Sequence, residues 1–357
     1  MERPGIQYLV ADKKSHLISK GSIKNMIITK TPLRISFFGG GTDYPVWYEK
    51  NGGSVISTTI NKYSYISTRY LPPFFEHKYQ ILCRLREEVK NVSDIKHPSV
   101  RECLNFLNGD KGIEMAYMAD LPAMSGIGSS SAFTVGFLNS LYALQGKTVD
   151  KRQLALDAIH VEQNLIKESV GSQDQVAAAF GGFNRIDFGG VEKISVKPIM
   201  ISPQRLQSLQ DHLMLFFTGF SRNASQIAAE QINKTPDKHV ELMQMKLMVD
   251  KAVDILSSEY TSLEEFGKLL GESWKIKRGL THLISNNQIN TIYERGTKAG
   301  AVGGKLCGAG AGGFMIFFVP LEKQVQVKEA LKDLLHVPFK FENQGSQVIF
   351  NISQDFL

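Results

Sequence analysis

Residues 26–38, "MIITKTPLRISFF", crowd β-branched and apolar side chains together in the manner of a strand, after a 25-residue lead that shows no sustained periodicity. The same enrichment returns at 54–60, 63–70 and 78–85, predicting a mostly antiparallel or mixed sheet. Another strand-like run, 113–122, leads into the glycine/serine stretch "AMSGIGSSSAF" and then into apolar residues at helical spacing: Phe133, Phe137, Leu138 and Leu141. That order is strand, glycine loop, helix. A second helix fits 150–168, capped by Asp150, and a short third fits 173–180 after the break at Gly171. From about 195 the pattern restarts with a strand at 213–217, long helices within 223–300 and a strand at 313–319. The expected division is an extension at 1–25, a first domain at 26–195 and a second at 196–357.

Composition narrows this only a little. The 357 residues are 43% hydrophobic and 21% charged, which excludes disordered and fibrous classes and suits two domains. No apolar run approaches the roughly 18 residues that cross a bilayer, and Glu2, Arg3, Asp12, Lys13 and Lys14 interrupt any leader. The expected location is the cytoplasm. Cys83, Cys103 and Cys307 lie far apart without metal or redox spacing and read as inert thiols. Half of the formal +6 charge sits in residues 1–25, which hold five Lys or Arg against two acids. The body is therefore mildly basic, without the basic and aromatic interleaving of a nucleic-acid groove, but compatible with a small anionic substrate.

Four stretches could carry chemistry. In "SGIGSSSA" (125–132) a loop enters a helix, so free backbone N–H groups and the helix dipole converge on one spot. Anions bind there, and the hydroxyls of Ser129, Ser130 and Ser131 suit phosphate or Mg²⁺; the plain alternative is a serine-capped turn. "CGAGAGGFMIFF" (307–318) has Gly308, Gly310 and Gly313 in G-x-G-x-x-G spacing, but a β-run follows where a dinucleotide fold needs a helix. It reads as a tight turn or a ligand contact. Gly39, Gly40 and Gly41 would let backbone approach a ligand, and Asp43 could accept from sugar hydroxyls or simply cap a turn. In "EQNLIKESVGSQDQVAAAFGG" (162–182), Ser172 and Gln175 form a capping-box pattern that puts Asp174 in the first turn of a helix. Glu162 borders the apolar stripe Leu154, Ala158, Val161, Leu165.

Taken in order, these stretches resemble the GHMP kinase superfamily over nearly everything from residue 26 onward. "PLRISFFGGGTD" is similar to its first motif, "LPAMSGIGSSSAF" to its phosphate loop, and "KLCGAGAGG" to its third. The resemblance implies an α+β, two-domain fold, the N-terminal half like ribosomal S5 domain 2 and the C-terminal half ferredoxin-like, with ATP at their junction. It implies a phosphate loop of Gly126, Ile127, Gly128, Ser129, Ser130 and Ser131, with Ser130 and Glu162 on Mg²⁺. Asp174 matches the proposed catalytic base and Arg34 the cation beside it. Gly39, Gly40, Gly41, Thr42, Asp43 and Gly310 would face the acceptor.

The first motif departs from galactokinases, whose Gly-Glu-His-x-Asp becomes Gly39-Gly40-Gly41-Thr42-Asp43. With "FFTGFSRNAS" (216–225) it resembles instead the branch that phosphorylates the anomeric hydroxyl of D-glycero-D-manno-heptose 7-phosphate for surface-glycan synthesis. Arg222 is then the candidate for the distal phosphate. A kinase of an unphosphorylated sugar such as fucose, arabinose or a hexose is the neighbouring reading. A non-catalytic sugar-binding protein is the distant one, and retention of Asp174, Glu162, Ser130 and Arg34 argues against it.

Overall fold

The computed structural model describes residues 24–72, 74–109, 111–189, 194–219 and 224–354. The proposed extension, apart from its last two residues, and Arg222 lie outside the described residues. β1 (Lys24–Phe38) is the apolar run that opens the pattern. After helix α1 (Pro45–Asn51), the two strand-like stretches at 54–60 and 63–70 fuse into one long strand, β2 (Gly53–Tyr70). Its pairing with β1 shifts register opposite Asn61 and Lys62, which is why the pattern breaks there. β3 (Tyr79–Leu82), β4 (Arg86–Val89), helix α2 (Pro98–Phe106) and β5 (Ile113–Ala119) follow.

Helix α3 (Ser129–Leu144) leaves the glycine/serine loop, and α4 (Lys151–His160) starts where Asp150 accepts the Gln153 amide at 2.8 Å. Beyond His160 the helix does not run on to 168 in α-form. It widens into a π-helical turn, Val161–Leu165, and α5 (Gln173–Phe180) follows. The expected capping box does not form. The Ser172 hydroxyl is taken by Tyr48 and Gln163, both at 3.1 Å, and the Gln175 amide turns to Glu162.

β6 (Phe183–Phe188), β7 (Ile194–Pro198), α6 (Pro203–Asp211), β8 (Leu213–Phe217), α7 (Ala224–Lys234), α8 (His239–Ser257), α9 (Glu264–Arg278) and α10 (Asn287–Lys298) complete the middle of the chain. β9 (Gly303–Leu306), β10 (Phe314–Phe318), α11 (Gln324–Ala330), β11 (Leu335–His336), β12 (Phe341–Glu342) and β13 (Gln347–Gln354) end it.

A nine-stranded mixed sheet runs β13-β1-β2-β5-β3-β4, with β6 and β12 also on β2 and β7 on β6. A separate antiparallel sheet runs β11-β8-β10-β9. The sequence reading assigned everything after 195 to the second unit. The pairings instead return 341–354 to the first sheet, where β13 covers the edge of β1 and its unpaired N–H and C=O groups.

The two units meet at the end of β1. Phe266 of α9 packs edge-on against Phe37 and Phe38, with centroids 5.4 and 5.1 Å away. β1 also bulges there, and Lys305 of β9 donates to the carbonyls of Ser36 and Phe37 at 2.8 and 3.0 Å. Among the described residues no helix is long and apolar enough to cross a membrane.

Candidate active site

A cleft opens at this junction, and the phosphate-loop stretch forms one wall. Gly126 and Gly128 take φ of +80° and +74°, so the backbone curls in a way side chains resist, and α3 begins at the next residue. Gly126, Gly128, Ser129, Ser130 and Ser131 line the cleft beside the unsatisfied N–H groups of the first helical turn. Ile127 does not. Its side chain is fully buried and its carbonyl accepts the Arg34 amide at 3.0 Å.

Arg34 and Asp174 form an ion pair in the cleft. Nε and Nη2 of the guanidinium each donate to a different carboxylate oxygen at 2.7 Å, and Nη1 donates to the Gly126 carbonyl at 2.8 Å. The fork matches the carboxylate bidentately and ties it to the phosphate loop. Both residues face the cleft.

The glycine-rich first motif divides into parts with different work. Gly40 and Gly41 line the cleft, whereas Gly39 and Thr42 do not. A Cβ on Gly39 would fall 1.9 Å from the Ser54 carbonyl, and the Thr42 hydroxyl bonds Gly39 and Ser54, so both pin β2 to the turn. A Cβ on Gly41 would meet the Gln231 amide at 2.5 Å, while one on Gly40 finds nothing nearer than 3.9 Å. Asp43 fills both roles weighed for it. Its Oδ1 accepts the Gly41 amide at 2.9 Å, capping the turn, and the residue also lines the cleft. Burial raises its carboxyl above the ordinary carboxylate range.

The third glycine motif divides in the same way. Gly308 faces the cleft, and a Cβ on it would lie 2.4 Å from the Gly126 Cα, so two bare backbones touch. Gly313 backs onto the Ser125 carbonyl and leads into β10, the strand that rules out a dinucleotide fold. Gly310, expected at the acceptor, packs against the Ile284 backbone instead and does not reach the cleft.

Glu162 sits on the π turn with no exposed surface and does not line the cleft. Such turns commonly mark functional positions, because one extra residue re-aims a side chain. Ser131 donates to its Oε2 at 2.9 Å and Gln175 donates to the same oxygen; Ser130, the serine expected beside it, faces the cleft. Its Oε1 has no partner among the described residues. Burial pushes this carboxyl up to about 7, against the pull of its hydrogen bonds. An orphaned hard oxygen beside serine hydroxyls suits Mg²⁺, although no cluster of three His, Cys, Asp or Glu exists among the described residues.

Sequence reasoning missed two lysines and a polar set. Lys277 and Lys305 both line the cleft while only 5% and 2% exposed. Burial lowers both ammonium groups, Lys277 to about 8. A signal for Lys277 was present, because it continues the buried stripe Phe266, Leu270, Trp274 along α9. Ser36, Gln173 and Gln231 come from β1, α5 and α7, and each presents a buried polar atom with no partner among the described residues. Three orphaned donors or acceptors around Gly40 and Asp43 describe a place for a polyhydroxylated ligand.

Residues 96–182 match the family described as GHMP kinases N terminal domain, and residues 251–337 match GHMP kinases C terminal. The chain is 29% identical over 333 residues to a D-glycero-alpha-D-manno-heptose 7-phosphate kinase of Campylobacter jejuni, covering 89% of this chain and 97% of that one. It is 23% identical over 342 residues, 87% of its length, to the Arabidopsis thaliana bifunctional fucokinase/GDP-fucose pyrophosphorylase, and spans 32% of that longer protein. Among solved structures, a D-glycero-D-manno-heptose 1-phosphate kinase from Bacteroides thetaiotaomicron superimposes with a TM-score of 0.72 at 25% identity, over 90% of this chain and 97% of that one. With a glycine loop at a helix N-terminus, an Arg–Asp pair beside it and both domains matched, the chain carries the N-terminal and C-terminal domains of GHMP kinases and carries out ATP-dependent phosphoryl transfer to an alcohol group.

Proposed function

We propose that the chain phosphorylates the anomeric hydroxyl of D-glycero-D-manno-heptose 7-phosphate, giving the 1,7-bisphosphate and ADP in the cytoplasm, upstream of nucleotide-heptose and surface-glycan synthesis. The observation that carries this is the Arg34–Asp174 pair, set between the phosphate loop and a glycine floor lined by unpartnered Ser36, Gln173 and Gln231. Two similar proteins named as heptose-phosphate kinases support the same substrate, although their names put the phosphate at different positions.

In this reading the loop N–H groups at Ser129, Ser130 and Ser131 hold the phosphates of ATP. Mg²⁺, supported by Glu162 and the hydroxyl of Ser130, would neutralise phosphate charge. Asp174 takes the proton of the anomeric hydroxyl as its oxygen forms a bond to the γ-phosphorus and the bond to ADP breaks. Each Asp174 oxygen gives one lone pair to Arg34 and keeps another for the acceptor. Gly40 has room for a sugar longer than a hexose where galactokinases carry a glutamate.

The test is turnover on a panel of heptose 7-phosphate, free heptose, L-fucose, arabinose and galactose, with ³¹P NMR of the product. A new phosphorus resonance coupled to the anomeric proton is expected, with kcat/KM for the 7-phosphate at least about tenfold above that of any free sugar. L-fucose is the informative competitor, given the fucokinase relative. Preference for it would replace the heptose reading while leaving the kinase assignment intact.

A further inference from the structure

We propose that Lys277 is a catalytic residue of this enzyme, its ammonium contacting the non-bridging oxygens of the phosphoryl group in transit. This rests on the phosphoryl-transfer reading of the cleft and not on which sugar fills it.

Positive charge must meet the transferred group, and Arg34 is poorly free to supply it. Each of its three nitrogens already donates once, two to Asp174 and one to the Gly126 carbonyl; one N–H remains on each Nη, but the charge is largely matched by the carboxylate it holds. Lys305 is committed as well, since two of its three N–H groups donate to the carbonyls of Ser36 and Phe37 at the β1 bulge. Lys277 differs. Its one hydrogen bond among the described residues is to the Gly308 carbonyl, and it forms no ion pair there. Two N–H donors of a buried ammonium are left facing the cleft.

Its location selects the ligand. Gly308 lies against Gly126, and Gly126 accepts from Arg34, which holds Asp174. A single chain of contacts thus runs from the Lys277 nitrogen through the phosphate loop to the Arg34–Asp174 pair. The γ-phosphoryl crosses between that loop and that pair. A buried ammonium that forms no direct ion pair is costly; Asp43 and Asp174 offset part of that cost from a distance, and an arriving phosphoryl anion offsets more in the transition state.

The groups facing Lys277 are Cys307, Arg34, Asp43 and Asp174, with Lys305 on the neighbouring strand. With its pKa lowered to about 8, the active ammonium form is lost as pH rises through that value. Wild-type kcat/KM should therefore fall on the alkaline side near there.

The experiment compares Lys277→Met, Lys277→Arg and wild type on the acceptor that wild type uses best, in its phosphorylated and unphosphorylated forms. Lys277→Met is expected to lose roughly 100-fold or more in kcat on both forms, with KM for ATP and acceptor within about threefold. Its melting temperature should stay level or rise, because a buried ammonium has become a thioether of similar length. Lys277→Arg should recover part of kcat and lose the alkaline limb. Three results would each overturn the proposal. One is a Met variant that keeps more than a third of wild-type kcat. Another is a defect confined to KM for the phosphorylated acceptor, which would make Lys277 a distal-phosphate ligand. The third is a fall in melting temperature in step with activity, which would make it a tie to Gly308. Failure of the heptose-phosphate reading shows instead in wild-type acceptor preference and leaves the variant-to-wild-type ratio untouched.

Discussion

Adding one methyl group at Gly171 tests whether Asp43 reads the acceptor or only caps its turn. Gly171 lines the cleft between the π turn and α5, and the Ser172 amide donates to the Asp43 carbonyl at 2.9 Å, locking the two loops together. A Cβ at 171 would lie 1.9 Å from Asp43 Oδ2 and 2.7 Å from its Cγ. Real Cβ contacts begin near 3.0 Å, so the carboxylate must withdraw by at least about 1 Å. Withdrawal breaks the Oδ1 bond to the Gly41 amide and leaves a buried donor unpaired, which costs about 1–3 kcal/mol of stability. If Oδ2 meets an acceptor hydroxyl, a displacement of that size also lowers kcat/KM for the acceptor roughly 100-fold. Gly171→Ala should therefore lose both stability, read by denaturant titration, and acceptor kcat/KM, read by coupled ADP release, while KM for ATP holds within about threefold. A variant that loses stability but keeps its acceptor kcat/KM would reduce Asp43 to a turn cap. One that loses neither would refute the packing argument itself.

Asp174→Asn keeps the size of the carboxylate but removes its charge and one of the two acceptors of the Arg34 fork, so turnover should drop about 10²- to 10⁴-fold with ATP affinity little changed; more than half of wild-type turnover would remove it from the chemistry. A Cβ at Gly40 meets only ordinary contacts, the Gln173 amide at 3.9 Å and the Ser36 hydroxyl at 4.0 Å, so Gly40→Glu should leave the fold intact, but a new anion on the floor of the cleft should shift preference away from a phosphorylated acceptor toward a free hexose. An unchanged ratio of kcat/KM between the two acceptors would separate Gly40 from the sugar. Glu162→Gln and Ser130→Ala should each raise the Mg²⁺ concentration for half-maximal rate, and unchanged Mg²⁺ curves in both would take them away from the metal.

Local signals in the sequence carried over well where the structure itself is local. The Asp150 cap, the helix that opens after Gly128 and the strand after Gly313 depend on neighbours within a few residues, and a window of the sequence contains them. Glycines were legible as a set but not as individuals. Gly39, Gly40 and Gly41 read alike, yet the nearest neighbour of a Cβ at each comes from β2, from α5 and from α7, none of which the motif contains. The capping box failed for a similar reason, since Ser172 and Gln175 have the right spacing but better partners in Tyr48, Gln163 and Glu162. β13 was assigned to the wrong unit because its partner, β1, lies about three hundred residues away, beyond any local periodicity. Both buried lysines were passed over because a lysine is by default a solvated residue.

The two lysines also show how one junction can bind and fold with the same kind of group. β1 bulges at Phe37, where its register against β2 shifts between Ser36 and Phe38 just before the motif that lines the cleft. Buried carbonyls need donors, and water has no place at the contact of Phe37 and Phe38 with Phe266. Lys305 meets that need from the opposite unit, so its charge is largely absorbed by backbone dipoles and its removal would be felt first as stability. Lys277 enters the same cleft from α9 with a single carbonyl to satisfy it. Its residual charge is therefore available to a ligand, and the fold bears the desolvation of that ammonium with one carbonyl contact and no direct ion pair among the described residues. A residue whose burial the protein's own contacts do not repay is best accounted for by the charged group that meets it during turnover.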